Sequence, residues 1–393
     1  MGKVFGTECG RYSSFWAHVW VLAGVAACGA DAEGRSVQVS VPTWTLSASP
    51  SVSIGREDGD PRYQLFRVMD AELLDDGRIV VANAGNNSLS VYDARGTYVR
   101  SIGRKGEGPG EFEVPMWVGS VAGDTVLVWD RRLKRISIFG PSGDLARVTT
   151  LEGADGAFPE AVGLLGDRSF VTNAGVDVFG MASRRGVVRD SITLQRFGPD
   201  GKLTGVVGTF PGDESYINER DRGYTWDALP FGRQTFTVAG RNGVYVADGE
   251  TGRVTLYGLD GQRIQSWNSP LEGWNVSPQD IENFKQERLA QIVVEERRRE
   301  TQAMLDGAPF PKVSPVIGAL KVDLEGNVWV QSFPRPGAET ATWVIMAPSG
   351  QPVGQIEIPT RAEVFKVGRD YVLGRWRDEM DVEQIRLYGV SKS

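Results

Sequence analysis

The sequence predicts an all-β fold, a six-bladed β-propeller of four-stranded antiparallel blades, on two observations. The first is composition, because 49 Gly and 20 Pro in 393 residues indicate many turns rather than long helices. The second is a repeat in which an aromatic residue, once Met, is followed four positions later by a turn glycine, after a short β-branched and aromatic run. The complete copies are Tyr92/Gly96, Phe139/Gly143, Phe197/Gly201, Tyr257/Gly261 and Met346/Gly350.

Residues 1–27 are predicted to be an export signal. Lys3 and Arg11 precede an apolar stretch, Phe15 to Ala27, that is too short to span a bilayer as a helix of about 20 residues. The run Val-Ala-Ala-Cys that ends at Cys28 resembles the bacterial lipobox. This resemblance implies that Cys28 becomes the lipid-modified first residue after cleavage. An ordinary signal peptide followed by a chance Cys is the alternative.

A lipid on Cys28 predicts an exported bacterial lipoprotein, membrane-anchored in the periplasm or at the cell surface. The membrane would be contacted through the lipid alone. Residues 28–41 then form a tether, whose r.m.s. reach as a flexible chain is roughly 20 Å. The propeller itself is predicted over residues 42–393.

Charge and histidine content exclude several classes of function. The net charge of −7 is acidic and no basic tract is present, so nucleic-acid binding has no support. The only histidine, His18, lies in the predicted signal. The mature chain therefore offers no Ser/His/Asp triad and no His-ligated zinc site. This favours a non-enzymatic protein, in which any metal would be held by oxygen ligands, as Ca²⁺ is.

The blades follow strand by strand from turn residues and β-branched runs. In the first blade, a strand at Leu65–Leu74 leads into the tight turn Asp76-Gly77 and the strand Arg78–Asn83. The alternating strand Leu89–Asp93 and a strand ending at Gly103 complete the blade. The same order recurs around Gly123, Gly166, Gly243, Gly326 and Gly368. Six copies predict six blades.

Two stretches carry a family resemblance. Residues Asn242–Asp248 and Leu256–Gly261 resemble the NHL repeat, and Ile102–Phe112 is similar to the glycine-rich blade junction of bacterial six-bladed propeller lipoproteins. The resemblance covers about residues 42 to 390 and implies a fold rather than an activity.

The last blade is predicted to borrow its outer strand from the N-terminus. A sixth repeat starts at Tyr388, but the chain ends at Ser393 before it is complete. Ile54-Gly55-Arg56 repeats Ile102-Gly103-Arg104, which gives residues 44–54 the register of an outer strand. We expect them to pair with the strand ending at Tyr388 as a velcro closure, so that truncation at either end destabilises the ring.

Three long connections between blades are predicted to lie on one face, where sites are usually built. They are Gly103–Val114, Phe210–Pro230 and Trp267–Val313. The third, between blades 4 and 5, contains a predicted helix at about 277–306, with Ser277 as N-cap and Pro278 as first residue. Its second half is almost wholly polar, which predicts a helix that docks by its first half and projects by its second.

The ligand-binding candidates are basic and aromatic residues of this face. Arg56 and Arg104 occupy equivalent positions and either clamp an anion or bond loop carbonyls between blades. The second connection interleaves charges with aromatics, which suits a sugar or peptide, or else pins a loop to the blades. A phosphate loop at Gly106–Gly110 is rejected because no helix follows it. The full set is Arg56, Arg104, Lys105, Arg220, Arg222, Tyr224 and Trp226.

Two functions follow from these residues. The first is a binding module for a peptide, glycan or partner protein, without nucleic acid. The alternative is a Ca²⁺-dependent, lactonase-like hydrolase with carboxylates at the central channel. Glu160 and Glu363, near the starts of inner strands, are the candidate metal ligands.

Overall fold

The computed structural model describes residues 41–152, 159–174, 184–220, 223–378 and 380–392. In these ranges almost all regular structure is β-strand, arranged in six antiparallel sheets. The predicted signal peptide, Cys28 and residues up to Ser40 lie outside the described residues. No helix within the described ranges is both long enough and apolar enough to cross a membrane.

The sheets follow one another along the chain as blades. Two short strands, β1 (Thr45–Leu46) and β2 (Val52–Ile54), come first. Blade 1 comprises β3 (Val68–Leu73), β4 (Ile79–Asn83), β5 (Ser88–Tyr92) and β6 (Tyr98–Ile102). Blade 2 comprises β7 (Pro115–Val121), β8 (Thr125–Asp130), β9 (Arg135–Phe139) and β10 (Leu145–Thr150). Blade 3 comprises β11 (Glu160–Leu164), β12 (Phe170–Asn173), β13 (Gly186–Phe197), β14 (Leu203–Arg220) and β15 (Gly223–Ala228).

The remaining blades keep the same order. Blade 4 comprises β16 (Thr235–Gly240), β17 (Gly243–Asp248), β18 (Arg253–Tyr257) and β19 (Arg263–Asn268). Blade 5 comprises β20 (Ile317–Val322), β21 (Val328–Ser332), β22 (Thr340–Met346) and β23 (Pro352–Pro359). Blade 6 comprises β24 (Ala362–Val367), β25 (Tyr371–Arg377) and β26 (Glu383–Ser391).

The sequence repeat marks the hairpin between the third and fourth strands of a blade. In blade 1, Tyr92 is fully buried in the core between sheets. The Asp93 carboxylate accepts hydrogen bonds from the backbone N–H of Arg95 at 2.9 Å and of Thr97 at 2.8 Å. Gly96 has a φ of 80°, which glycine adopts without strain. Local turn chemistry therefore fixes this hairpin.

The first strands of the blades form a closed ring. β3, β7, β11, β16, β20 and β24 are neighbours in that order, and β24 contacts β3. Apolar clusters fill the space between successive sheets. β1 and β2 lie beside the last strand, since Thr45 pairs with Ser391 and Val52 with Leu387.

One predicted connection is largely strand. The sequence predicts a loop at Phe210–Pro230, but β14 continues to Arg220 and the chain returns as β15, a fifth strand of blade 3. Pro211 and Gly212 are turn signals in the sequence. The sheet accommodates them by a register shift between Arg189 and Ser191 of the partner strand.

The insertion between blades 4 and 5 holds two helices rather than one. α1 spans Pro278–Ala290 and α2 spans Glu295–Gly307. The backbone is extended at Val294, where the chain starts the second helix. Residues 295–300 of the polar run are exposed, as predicted, whereas Met304 and Leu305 near the end of α2 are buried and dock it. Their apolar side chains supply the docking surface that the polar run before them lacks.

Candidate functional site

A cavity of 230 Å³ lies between blades 1 and 2. Its lining comes from the chain before β3, the β4–β5 turn, the junction between blades and the β8–β9 turn, all at one end of the strands. We call this end of the ring the loop face, and the cavity the blade 1–2 pocket. The lining residues are Arg67, Ala84, Gly85, Asn87, Lys105, Glu113, Val114 and Arg132.

Two residues with a left-handed backbone conformation form one wall of the pocket. Arg67 has a φ of 54° and Asn87 a φ of 52°, a conformation that costs free energy in residues other than glycine. The Ala84 N–H donates to the Arg67 carbonyl at 3.2 Å. A β-carbon at Gly85 would lie 2.4 Å from the Phe66 carbonyl oxygen. Glycine there lets the β4–β5 turn pack closely against the chain before β3.

A buried carboxylate joins two of the segments that line the pocket. Asp130 is fully buried, and its Oδ2 accepts hydrogen bonds from the N–H of Glu113 at 2.7 Å and of Val114 at 3.0 Å. Its Oδ1 accepts from Arg132 and Leu133 N–H, both at 3.0 Å. One side chain thus fastens the end of the junction to the β8–β9 turn.

The glycine-rich junction is fixed by Arg135, a residue that no sequence pattern indicates. The Arg135 guanidinium donates to the carbonyls of Glu107 and Gly108, both at 2.7 Å, and of Glu111 at 2.8 Å. The Glu111 carboxylate accepts from Gly108 N–H at 2.9 Å and Arg104 Nε at 2.8 Å. These bonds lower the pKa of Glu111. Nothing in the sequence around Arg135 marks this role, because its partners lie on another blade connection.

The pocket carries more positive than negative charge. Glu113 Oε2 lies 3.9 Å from Arg132 Nε, a weak contact at the edge of ion-pair distance. The side chains of Arg67 and Lys105 have no hydrogen bond or ion pair within the described part of the chain. Three cations therefore share the pocket with one carboxylate.

The predicted ligand residues separate in space. Lys105 lines the pocket, whereas its neighbour Arg104 points outward, 82% exposed, and pairs with Glu111. The Arg56 guanidinium lies over the Tyr63 ring, 4.9 Å from its centroid. Arg56 and Arg104 therefore make separate contacts, and neither lines the pocket.

The other ligand candidates belong to the blade 3 hairpin. Arg220 pairs with Gly223 at its tip, Glu219 with Tyr224, and Ile217 with Trp226. Arg222 lies outside the described residues. The hairpin is distant in sequence and blade from the blade 1–2 pocket, so these residues form no part of its lining.

The two predicted metal ligands each contact an arginine. Glu160 accepts a hydrogen bond from Arg131 Nη1 at 2.8 Å. Glu363 accepts one from Arg375, which also donates to Glu383 at 3.0 Å. Among the residues described, no three or more His, Cys, Asp or Glu side chains are grouped so as to hold a metal.

The ring interior contains a lysine with three partners. Lys366 on β24 lies 3.2 Å from Asp70 and 3.3 Å from Glu72, and donates to the Val118 carbonyl at 2.8 Å. It reaches from β24 past β3 to β7, which places the amine inside the ring. Burial raises the pKa of Glu72, although Lys366 opposes this shift. Lys366 thus pairs with two acidic side chains of β3.

An aromatic cluster docks the helical insertion. Phe231 contacts Trp274, Phe284, Phe310 and Phe333, with ring centroids 5.0 to 5.9 Å apart. These contacts join α1 to the loops of neighbouring blades. The aromatics in this region are therefore occupied in packing.

Comparisons with known proteins concern the fold. A family model described as a 6-bladed beta-propeller matches residues 65–116, which span blade 1 and the start of blade 2. The search of curated proteins gave no match.

Among solved structures, a member of the duf4221 family from Bacteroides vulgatus is similar at a TM-score of 0.49 and 10% identity, over 90% of this chain and 99% of that one. A candidate exported protein from Bacteroides fragilis has a TM-score of 0.48 and 12% identity, over 90% of this chain and 97% of that one. A catalytically inactive virginiamycin B lyase from Staphylococcus aureus, with quinupristin, has a TM-score of 0.42 and 10% identity, over 91% of this chain and 97% of that one. The six sheets and the family match carry the fold assignment.

Proposed function

We propose that this protein is an exported, lipid-anchored propeller that binds a peptide, a glycan or a partner protein on its loop face. The blade 1–2 pocket is the observation that carries the proposal. Four separate segments build it, and two of its non-glycine residues are held in the left-handed region. Such conformations persist where the surrounding structure fixes them, often at ligand sites. The anchor rests on the motif that ends at Cys28.

Binding is favoured over hydrolysis by how the carboxylates are used. A Ca²⁺ site needs several oxygen ligands directed at one point. Glu160 and Glu363 instead accept hydrogen bonds from Arg131 and Arg375. Inside the ring, Asp70 and Glu72 likewise pair with Lys366. Support for the hydrolase is therefore weaker than support for the binding module.

Hydrogen exchange of the full chain tests the face. The chain is first screened against arrays of glycans and peptides, and exchange is then measured with each hit. Bound ligand should slow exchange in residues 84–87, 105–114 and 131–134, because these segments carry the residues that line the pocket. The hairpins at 75–78 and 122–125, at the other end of the strands, are the internal control. Protection confined to those hairpins, or no hit on either array, contradicts the proposal.

A further inference from the structure

We infer that the blade 1–2 pocket binds an oxoanion, a carboxylate, phosphate or sulfate group at the end of the ligand. This inference rests on the proposed function and names the chemistry of its site. Arg67, Lys105 and Arg132 meet there from three different segments of the chain. Guanidinium and ammonium groups are the side chains that bind such anions through charge-assisted hydrogen bonds.

The charges in the pocket are available to a ligand. Arg132 Nε lies 3.9 Å from the Glu113 carboxylate. The side chains of Arg67 and Lys105 have no hydrogen-bond or ion-pair partner in the described ranges. Two arginines of the adjoining segments are engaged. Arg104 pairs with Glu111, and Arg135 donates to three carbonyls. The pocket thus holds two cations that no acidic side chain neutralises among the described residues.

The backbone under these cations is preorganised. Arg67 is held at positive φ while its carbonyl accepts from Ala84, and Asn87 donates to the Glu113 carbonyl. The junction that carries Lys105 is fastened by Arg135. Little backbone ordering is left to occur on binding, which lowers the entropic cost of recognition.

The size of the pocket limits what enters it. Its volume of 230 Å³ is below the range of roughly 300–1,000 Å³ that is typical of whole small-molecule ligands. One anionic end group fits, and the rest of the ligand lies on the loop face. Glu113 offers an acceptor beside the cations, suited to a hydroxyl on the same group.

Neighbouring residues supply a matched test. Calorimetric titrations of the full chain with sodium phosphate, sodium sulfate and sodium glucuronate at low salt give a Kd for each anion and distinguish the three chemistries. Lys105→Gln should raise the Kd of the preferred anion at least tenfold, and Arg67→Gln should do the same. Arg104→Gln removes the same charge from the same junction and should change the Kd less than twofold. Thermal melts confirm that each variant is folded.

Two results overturn the inference. One is that none of the three anions binds. The other is that Arg104→Gln weakens binding as much as Lys105→Gln, which would indicate a general surface field. If an array hit still protects the loop face in Lys105→Gln with unchanged affinity, the oxoanion inference fails while the proposed function stands. If anions bind but no array hit protects the loop face, the proposed function fails while the oxoanion inference stands.

Discussion

Two lysines inside the ring have pKa values shifted in opposite directions by their neighbours. Burial tends to lower the pKa of Lys366, but Asp70 and Glu72 outweigh it and the pKa is raised. Lys321 on β20 has no ion pair or hydrogen bond among the described residues, and burial lowers its pKa. The charge of Asp70 opposes this lowering of the pKa, and the charge of Lys366 adds to it.

Lys321→Met should therefore stabilise the protein at neutral pH, by about 1 kcal/mol, because an unpaired ammonium leaves the ring interior. The folded-state pKa is below the unfolded value, so the penalty of the charge is complete below the folded pKa. It fades as the pH rises toward the unfolded value of about 10.4. Denaturant melts between pH 6 and 10 should show a gain that shrinks with pH. Lys366→Met, which leaves Asp70 and Glu72 unpaired, should destabilise instead; a loss with Lys321→Met at every pH would contradict the argument.

At the scale of elements, α1 is fastened by a polar cap. Ser277 and Asp280 form a capping box, in which the Ser277 N–H donates to the Asp280 carboxylate at 2.8 Å and the Asp280 N–H donates to Ser277 Oγ at 3.2 Å. Ser277 Oγ also donates to the same carboxylate at 2.6 Å. Arg335, from the β21–β22 loop of blade 5, lies 3.0 Å from the same carboxylate and stacks over Trp274. The bonds from Ser277, and then Arg335, lower the pKa of Asp280. The cap thus ties a helix to a blade.

Asp280→Asn should loosen α1 in a pH-dependent manner. Because the folded pKa is lowered, the carboxylate stabilises the helix fully above the unfolded pKa of about 3.9, and this is lost as the pH falls through the folded value. Hydrogen exchange of residues 278–290 should be faster in the variant at pH 7, and the difference should shrink in acid. Ser277→Ala, which removes the N-cap at a cost of about 1 kcal/mol, is the comparison. A difference independent of pH would show that the charge is not involved.

For the whole molecule, the N-terminal segment joins two blades. β1 and β2 pair with β26 of blade 6, while the Trp44 N–H donates to the Gln355 carbonyl of blade 5 at 2.7 Å. The Trp44 ring is buried against Trp329, with centroids 5.7 Å apart. A ring whose sheets each contact two neighbours transmits the loss of one contact around the whole circle.

Trp44→Ala should lower the free energy of unfolding by about 4 kcal/mol, the cost of a large cavity in the core. Ile264→Ala, at a side chain that is 58% exposed on β19, is the matched control and should cost little. Urea unfolding followed by tryptophan fluorescence and by far-UV circular dichroism should shift together. If the fluorescence transition moves while the dichroism transition stays, blades 5 and 6 unfold separately and the cooperative ring is contradicted.

The sequence by itself determined the blades, because each hairpin depends on residues a few positions apart. The aromatic side chain of Tyr92 enters the core and Gly96 takes the positive φ within the same turn. The sequence also pointed to the loop face and to Lys105. It misjudged the Phe210–Pro230 segment, where pairing along β13 overrides the turn signals of Pro211 and Gly212.

Only the tertiary structure decided which charges are available. Arg104 and Lys105 are adjacent and equally basic in the sequence, yet Arg104 meets Glu111 and Lys105 enters the pocket. The pocket exists because Asp130, Arg135 and Gly85 bring distant segments together. The physical reason is range: turn geometry is set by covalent neighbours, whereas ion pairing and burial depend on contacts between residues far apart in the chain.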